Sequence, residues 1–351
     1  MYDSSARAAE KEGMFIMRLT QPYLLFLGDV TLRPFAKTAL GLRDWAPDLC
    51  VGEFALPSAT LSAGLPVLNP AQAYERGARA LVIGVALRGG RIQADWMPVL
   101  TEALEAGLDI ISGMHSRLTD YPEFKQAAER LGRRLFDVRV PPKDLPVATG
   151  RKRSGMRLLT VGTDCTLGKK YTALSLTRGF RELKVDATFR ATGQTGIMIA
   201  GEGIPIDAVV ADFIAGAAEV LSPDAESTHW DVVEGQGSIF HPSYSGVSLG
   251  LLHGTQPDVI VVCHEVGRDR VYGLEQFATP GLQETIDLHL AHARRTNPRA
   301  RCAGISLNTS SLSAEQAQET LRSHASFLGL PVADPMRPGP EFTALIAACL
   351  S

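Results

Sequence analysis

Two α/β domains, each wound around a mainly parallel sheet, are what the sequence predicts, and three observations carry the prediction. Apolar, β-rich runs alternate with helix-period stretches almost throughout the chain, the pattern of layered α/β proteins. A proline-rich segment at about residues 141–155 divides that alternation in two. Directly after it, an apolar strand runs into a loop that ends in Gly-Lys and opens a helix, the order of a phosphate-binding loop. The 351 residues fit two domains at roughly 100–200 residues each, and each is large enough to bury its own core.

The elements of the first half follow in order. Tyr23–Leu27 reads as a strand that runs into Gly28-Asp29. A helix-like stretch covers Ala36–Asp44, and Leu49–Val51 forms a short strand. Ala71–Gly77 is helical and Ala80–Val85 is an apolar strand, followed by a turn at Arg88-Gly89-Gly90-Arg91. Met97–Ala106 is an amphipathic helix and Leu108–Ile111 a buried strand that ends in Ser112-Gly113-Met114-His115. Tyr121–Leu131 is a helix and Leu135–Val140 a strand. This is a Rossmann-like half over residues 18–145, with loops at its strand ends suited to a ligand. It lacks the GxGxxG fingerprint of dinucleotide binding.

The second domain, 146–351, opens with the strand Arg157–Val161, the loop, and the helix Lys170–Leu183. Further strands are predicted at Ala187–Arg190, Asp231–Val233, Val259–Cys263 and Cys302–Leu307, with helices at Leu282–Arg294 and Ala314–Leu328 among those between them.

Composition narrows the function. A formal net charge of -3 with mixed signs gives no electrostatic footprint for nucleic acid, and Arg151-Lys152-Arg153 is too short to supply one. The five cysteines, Cys50, Cys165, Cys263, Cys302 and Cys349, show no metal-ligand spacing. They fit a reducing, cytoplasmic compartment. No apolar run has the length of a membrane span. Residues 1–17 lack the apolar core of a signal peptide and read as a disordered extension, with Met14 or Met17 as alternative starts.

The loop Gly162-Thr163-Asp164-Cys165-Thr166-Leu167-Gly168-Lys169, continued by Lys170, is the most informative segment. Phosphate binding needs backbone N–H groups aimed at one point, a helix N-terminus behind them and a mobile cation. The spacing departs from the usual loop. Its first glycine is expected at position 163 and sits at 162, and the hydroxyl expected after the lysine is replaced by Lys170. Thr172 is the remaining candidate hydroxyl, so phosphate binding is better supported than metal binding. The plainer alternative is a glycine-rich turn with a surface lysine.

The loop resembles the one-residue-longer loop of dethiobiotin synthetase, and a second segment supports that. The strand Asp231-Val232-Val233 ends in Glu234-Gly235-Gln236-Gly237, much like the corresponding segment of that enzyme. A carboxylate at the end of a neighbouring strand can hold Mg²⁺ near phosphates, which assigns Glu234 as the metal ligand. Otherwise it is an acidic strand end with no ligand.

Other segments admit two readings each. Gly193-Gln194-Thr195-Gly196 and Gly201-Glu202-Gly203 form either a wall of the site or a flexible connection. Asp212, after a strand-like Ala208–Ala211, is a polar contact or the cap of a helix Ile214–Leu221. His241, His253 and His264 are proton-transfer candidates or structural groups, and His264-Glu265 at the end of a buried strand is the best placed pair. Cys165 lies where a helix N-terminus lowers a thiol pKa, and serves as nucleophile or packing group. His115 ends a buried strand of the first half.

Taken together, Ala36-Lys37-Thr38-Ala39, Ile111-Ser112-Gly113-Met114-His115, Pro141-Pro142-Lys143-Asp144-Leu145-Pro146, the phosphate loop, Val233-Glu234-Gly235-Gln236-Gly237-Ser238, His241-Pro242 with Tyr244, Leu252-His253-Gly254 and His264-Glu265 resemble one family over nearly the whole chain. It is the DgcN-like family, long labelled a domain of unknown function or an NAD-dependent epimerase/dehydratase. The resemblance implies a Rossmann-like domain followed by a P-loop NTPase-like domain. It also implies N-acetylation of an acidic amino acid, D-glutamate, with acetyl-CoA as co-substrate, feeding a partner enzyme of the enolase superfamily. A homo-oligomer with no nucleic-acid or membrane partner is expected. The dehydrogenase label fits poorly without its fingerprint.

Acyl transfer needs a base for the amine, for which His264, Glu265 and His115 are the candidates, and donors for the oxyanion, which a glycine loop supplies. Arginines near a cleft between the halves would hold the substrate carboxylates. Two alternatives stand beside it. An ATP-dependent carboxylate ligase would use Lys169 with ATP and Mg²⁺ on Glu234, against which the missing hydroxyl at position 170 counts. A non-catalytic nucleotide sensor is the other, and the histidine-rich loops argue against it.

Overall fold

The computed structural model describes residues 16–85 and 90–351. The chain forms two compact units, one of Ile16–Pro142 with Gln194–Ala208, the other of Lys143–Gly193 with Val209–Ser351. The second stretch of the first unit comes from the middle of what the sequence assigns to the second domain.

In the first unit a two-residue strand β1 (Met17–Arg18) precedes β2 (Tyr23–Phe26), helix α1 (Lys37–Trp45), β3 (Cys50–Phe54), α2 (Pro70–Glu75) and β4 (Ala80–Ile83). Then come α3 (Met97–Glu105), β5 (Asp109–Ser112), α4 (Pro122–Leu131) and β6 (Leu135–Asp137). The sheet order is β3-β2-β4-β5-β6, parallel throughout. Strands β2, β4 and β5 are buried along their whole length, so they read as unbroken apolar runs rather than alternations. Trp96 fills the core against Phe26, edge to face at 5.5 Å. Gly28 at φ 56° leaves room for that indole, since a Cβ there would lie 2.7 Å from it. The expected turn at 88–91 and the disordered extension fall largely outside the described residues. Met17, which the extension includes, is instead held in β1.

The second unit opens with β7 (Met156–Gly162), α5 (Lys169–Glu182) and β8 (Ala187–Arg190). The chain then makes an excursion, α6 (Gln194–Ala200) and β9 (Glu202–Gly203), that belongs to the first unit. There β9 pairs antiparallel with β1, Leu19 donates its N–H to the Gly201 carbonyl at 2.7 Å, and the Tyr23 hydroxyl donates to Met198 O at 3.0 Å. The glycine-dense segment read as loop is therefore mostly helix, because Ile197, Met198 and Ile199 are buried and supply the apolar face.

The second unit resumes with α7 (Ile214–Leu221), β10 (Trp230–Val233), α8 (Ser245–Thr255), β11 (Val259–Glu265) and an antiparallel hairpin of β12 (Arg270–Val271) and β13 (Leu274–Ala278). It ends with α9 (Leu282–Ala293), β14 (Arg301–Asn308), α10 (Ala314–Leu328), β15 (Val332–Ala333) and α11 (Pro340–Leu350). The sheet is parallel in the order β15-β14-β11-β7-β10-β8. The strand expected at Ala208–Ala211 is absent. Short 3-10 turns stand at Ile206–Ala208 and Ala211–Phe213, and Asp212 makes no cap to α7, whose N-cap residue is Phe213. Helix α8 carries glycines at 246, 250 and 254. The last of these lets it touch α7, for a Cβ at Gly254 would lie 2.2 Å from the Ala215 carbonyl.

Candidate functional site

Sheet order builds the site in the second unit. Strand β7 is central, with β10 on one side and β11 on the other. The loop leaving β7 is therefore flanked by Glu234 at the end of β10 and by His264 and Glu265 at the end of β11, at the carboxyl edge where open parallel sheets bind ligands.

The loop is held from both flanks. Thr163 N donates to the Cys263 carbonyl at 3.2 Å, and Ser238 Oγ donates to Thr163 O at 3.1 Å. Thr166 and Gly168 take left-handed conformations, φ 57° and 106°, which turn the chain into the N-terminus of α5. Lys169 is buried, and its Nζ donates to Asp164 O at 2.8 Å. Burial holds its ammonium below the usual lysine range. Its stem passes over Gly235, where a Cβ would lie 3.1 Å from Lys169 Cδ and 1.7 Å from Thr160 O. A glycine after Glu234 is thus a condition for the lysine's position.

Asp164 is fully buried. Its Oδ1 accepts from Cys165 N at 2.7 Å, and its Oδ2 accepts from Tyr272 N at 2.7 Å and from Arg268 Nη1 at 3.4 Å. Arg268 also grips Glu265, with Nε 2.8 Å from Oε2 and Nη2 on the same oxygen. One arginine thereby fastens the β12–β13 hairpin and the end of β11 to the phosphate loop. Sequence reasoning did not single out Arg268 or Tyr272. The three-residue offset from Glu265 to Arg268 was the available signal, whereas the link to Asp164 is long-range.

Glu234 is buried, and its Oε2 accepts from Thr192 N and Gly193 N, each at 3.0 Å. Thr172, the candidate replacement hydroxyl, is turned to the sheet. Its Oγ1 donates to Gly168 O at 3.2 Å and shares a 2.7 Å bond with Ser306 Oγ. Lys170 is half-buried, with its ammonium 4.5 Å from the centre of the Tyr171 ring.

His264 Nδ1 lies 2.8 Å from Thr163 Oγ1. Burial first, then the neighbouring His324 and Arg268, lower its pKa, against an opposite pull from Glu265. The ring is therefore neutral at physiological pH. His241 is buried beside Tyr244, and its Nδ1 accepts from Ser243 N at 3.1 Å. His253 lies in α8 with its ring 6.0 Å from that of His292. In the first unit, His115 is exposed just beyond β5, and its N–H donates to Gly90 O at 2.7 Å. The Cys165 thiol departs from expectation: burial raises its pKa, outweighing the nearby Lys169, and Asp164 adds to the rise.

Asp164, Cys165 and His241 bring ligand atoms within 4.8 Å of one another, the one such group among the described residues. The chemistry of the set is poor for a metal. Asp164 already accepts three hydrogen bonds, and His241 Nδ1 already accepts the Ser243 N–H.

Comparisons with known proteins cover nearly the whole chain. Residues 146–344 match the family described as "Domain of unknown function (DUF1611_C) P-loop domain". Residues 52–141 match "Domain of unknown function (DUF1611_N) Rossmann-like domain". A protein of Pseudoalteromonas sp, called D-glutamate N-acetyltransferase, is 47% identical over 92% of this chain and 97% of its own length. One of Tritonibacter scottomollicae with the same name is 49% identical over 91% and 96%. The crystal structure of a DUF1611 family protein from Anabaena variabilis superposes with a TM-score of 0.82 at 31% identity, covering 94% of this chain and 99% of that one. Among the described residues no helix is long and apolar enough to cross a membrane.

Proposed function

The chain belongs to the DUF1611 family, and from that premise we propose that it is an N-acetyltransferase that moves the acetyl group of acetyl-CoA to the amine of D-glutamate. The observation that carries the proposal is the 47–49% identity, over at least 91% of this chain, to two proteins called D-glutamate N-acetyltransferase. The geometry supports the reading at two points. The phosphate loop offers a buried lysine and a helix N-terminus to the phosphates of coenzyme A. His264 offers a neutral imidazole beside that loop.

In the proposed reaction the amine, freed of its proton, attacks the thioester carbonyl. The C–N bond forms, the C–S bond breaks, and coenzyme A leaves as the thiol. His264 takes the amine proton through Nε2, with Nδ1–H donating to Thr163 Oγ1 to fix that tautomer. Glu265 is the weaker candidate for this role because Arg268 occupies its carboxylate. Loop N–H groups stabilise the oxyanion. The N-acetyl product then passes to an enzyme acting on N-acetyl amino acids, for which the enolase superfamily is the proposed source. The five unpaired thiols fit the reducing compartment this metabolism would occupy.

The test is direct. Purified protein with acetyl-CoA and D-glutamate should release free thiol and yield N-acetylglutamate in equal amounts, with L-glutamate as the comparison. Absence of both products across acidic D-amino acids would remove the proposal.

A further inference from the structure

A P-loop ordinarily holds its polyphosphate together with Mg²⁺, which the hydroxyl after the lysine and a carboxylate on a neighbouring strand retain. The residues here do not fit that ion. The hydroxyl position is Lys170. The next hydroxyl along the helix, Thr172, is 2% exposed and bonded to Gly168 O and Ser306 Oγ. Glu234, on β10, is turned onto two backbone N–H groups of residues 192–193. Asp164, in the loop itself, is closed off by Cys165 N, Tyr272 N and Arg268. At Asp164 both carboxylate oxygens are already engaged, and at Glu234 Oε2 already accepts two backbone N–H groups, so neither carboxylate presents both oxygens to an octahedral Mg²⁺.

We propose that this phosphate loop binds its ligand without a divalent cation, with the Lys170 ammonium, which rests 4.5 Å from the centre of the Tyr171 ring, turning from that ring to the place of the magnesium-holding hydroxyl. Two adjacent lysines at the start of α5 then neutralise the phosphates directly. The ligand class is an unmetallated pyrophosphate, such as the bridge in a coenzyme A thioester, rather than a nucleoside triphosphate carried with Mg²⁺. The inference deepens the acetyltransferase reading and rests on it for the identity of the ligand, although the metal independence stands on the loop alone.

The experiment is calorimetric titration of the full chain with acetyl-CoA and, separately, with inorganic pyrophosphate, each in EDTA and in excess Mg²⁺. Acetyl-CoA is expected to bind with the same affinity in both, within about twofold, because no ion bridges it. Lys170→Ala should weaken both ligands about tenfold, the scale of one charge-assisted hydrogen bond, and Lys170→Arg should restore most of that. Acetyl-CoA affinity that rises tenfold or more with Mg²⁺ would overturn the inference, and so would an unchanged affinity in Lys170→Ala. The two proposals fail differently. Magnesium-dependent acetyl transfer keeps the activity and refutes the metal independence. Magnesium-independent pyrophosphate binding without acetyl transfer does the reverse.

Discussion

Acidification should weaken the second unit through one buried imidazole, His289. The ring lies on α9, is 2% exposed, and lines a small cavity behind the phosphate loop with Leu159, Gly162 and Ser238. Its Nδ1 donates to Thr285 O at 2.7 Å. Burial, and then the charges of Lys169 and His292, push its pKa from 6.5 down to about 4, while the Thr285 bond pulls the other way. In the unfolded chain the ring takes a proton below about pH 6.5, and in the folded chain it stays neutral until about 4. Between those values the unfolded state binds more protons, so stability falls as pH falls. At 1.36 kcal/mol per pH unit, the whole window is worth about 3 kcal/mol, intact above it and lost at its acid end. His289→Gln can still donate to Thr285 O but cannot titrate. Urea unfolding of both proteins, followed through the transition of the second unit at about pH 7 and about pH 4.5, should show the wild type losing about 2.4 kcal/mol more than the variant. Parallel losses in the two proteins would refute the reasoning, because acid sensitivity would then come from other groups.

Further outcomes are expected at the site itself. His264→Ala should reduce kcat by about 10²–10⁴, the range for loss of a general base, and Thr163→Val should cost about fivefold, one net hydrogen bond. In the wild type the rate should fall as pH drops through the lowered His264 pKa, below about 6.5. A pH–rate profile whose acid limb persists in His264→Ala would assign that limb to another group. Gly235→Ala places a methyl 1.7 Å from Thr160 O, so β10 must shift away from β7. The variant should lose on the order of 1–3 kcal/mol of stability together with ligand affinity, and a fully stable variant with unchanged acetyl-CoA titration would contradict the packing described.

The sheets were legible because buried parallel strands are written as apolar runs that few other structures use. Val259–Cys263 and Ala80–Val85 needed no tertiary information to be found. The phosphate loop was legible for the same reason, since strand, glycine, lysine and helix are consecutive. Its surroundings were less so. That Glu234 and His264 flank one loop depends on the strand order, which periodicity does not specify. That Asp164 is locked by Arg268 depends on a contact 104 residues apart in sequence. Glycine misled once, in Gln194–Ala200, where buried Ile197, Met198 and Ile199 make the segment a helix rather than a loop. The expected drop in the Cys165 pKa failed because desolvation of the thiol outweighs the nearby positive charge.

The excursion at Gln194–Ala208 sets an order of events during synthesis. N-terminal segments emerge from the ribosome first and domains tend to fold as they emerge. Here β1 and Tyr23 have partners at Gly203 and Met198, which are translated only after residues 143–193. The first unit must therefore wait, with one face unfinished, while the phosphate loop and its helix are made. A gene cut at the proline-rich segment would separate the unit from part of its own core, so two half-proteins expressed apart would not reproduce the pair joined in one chain.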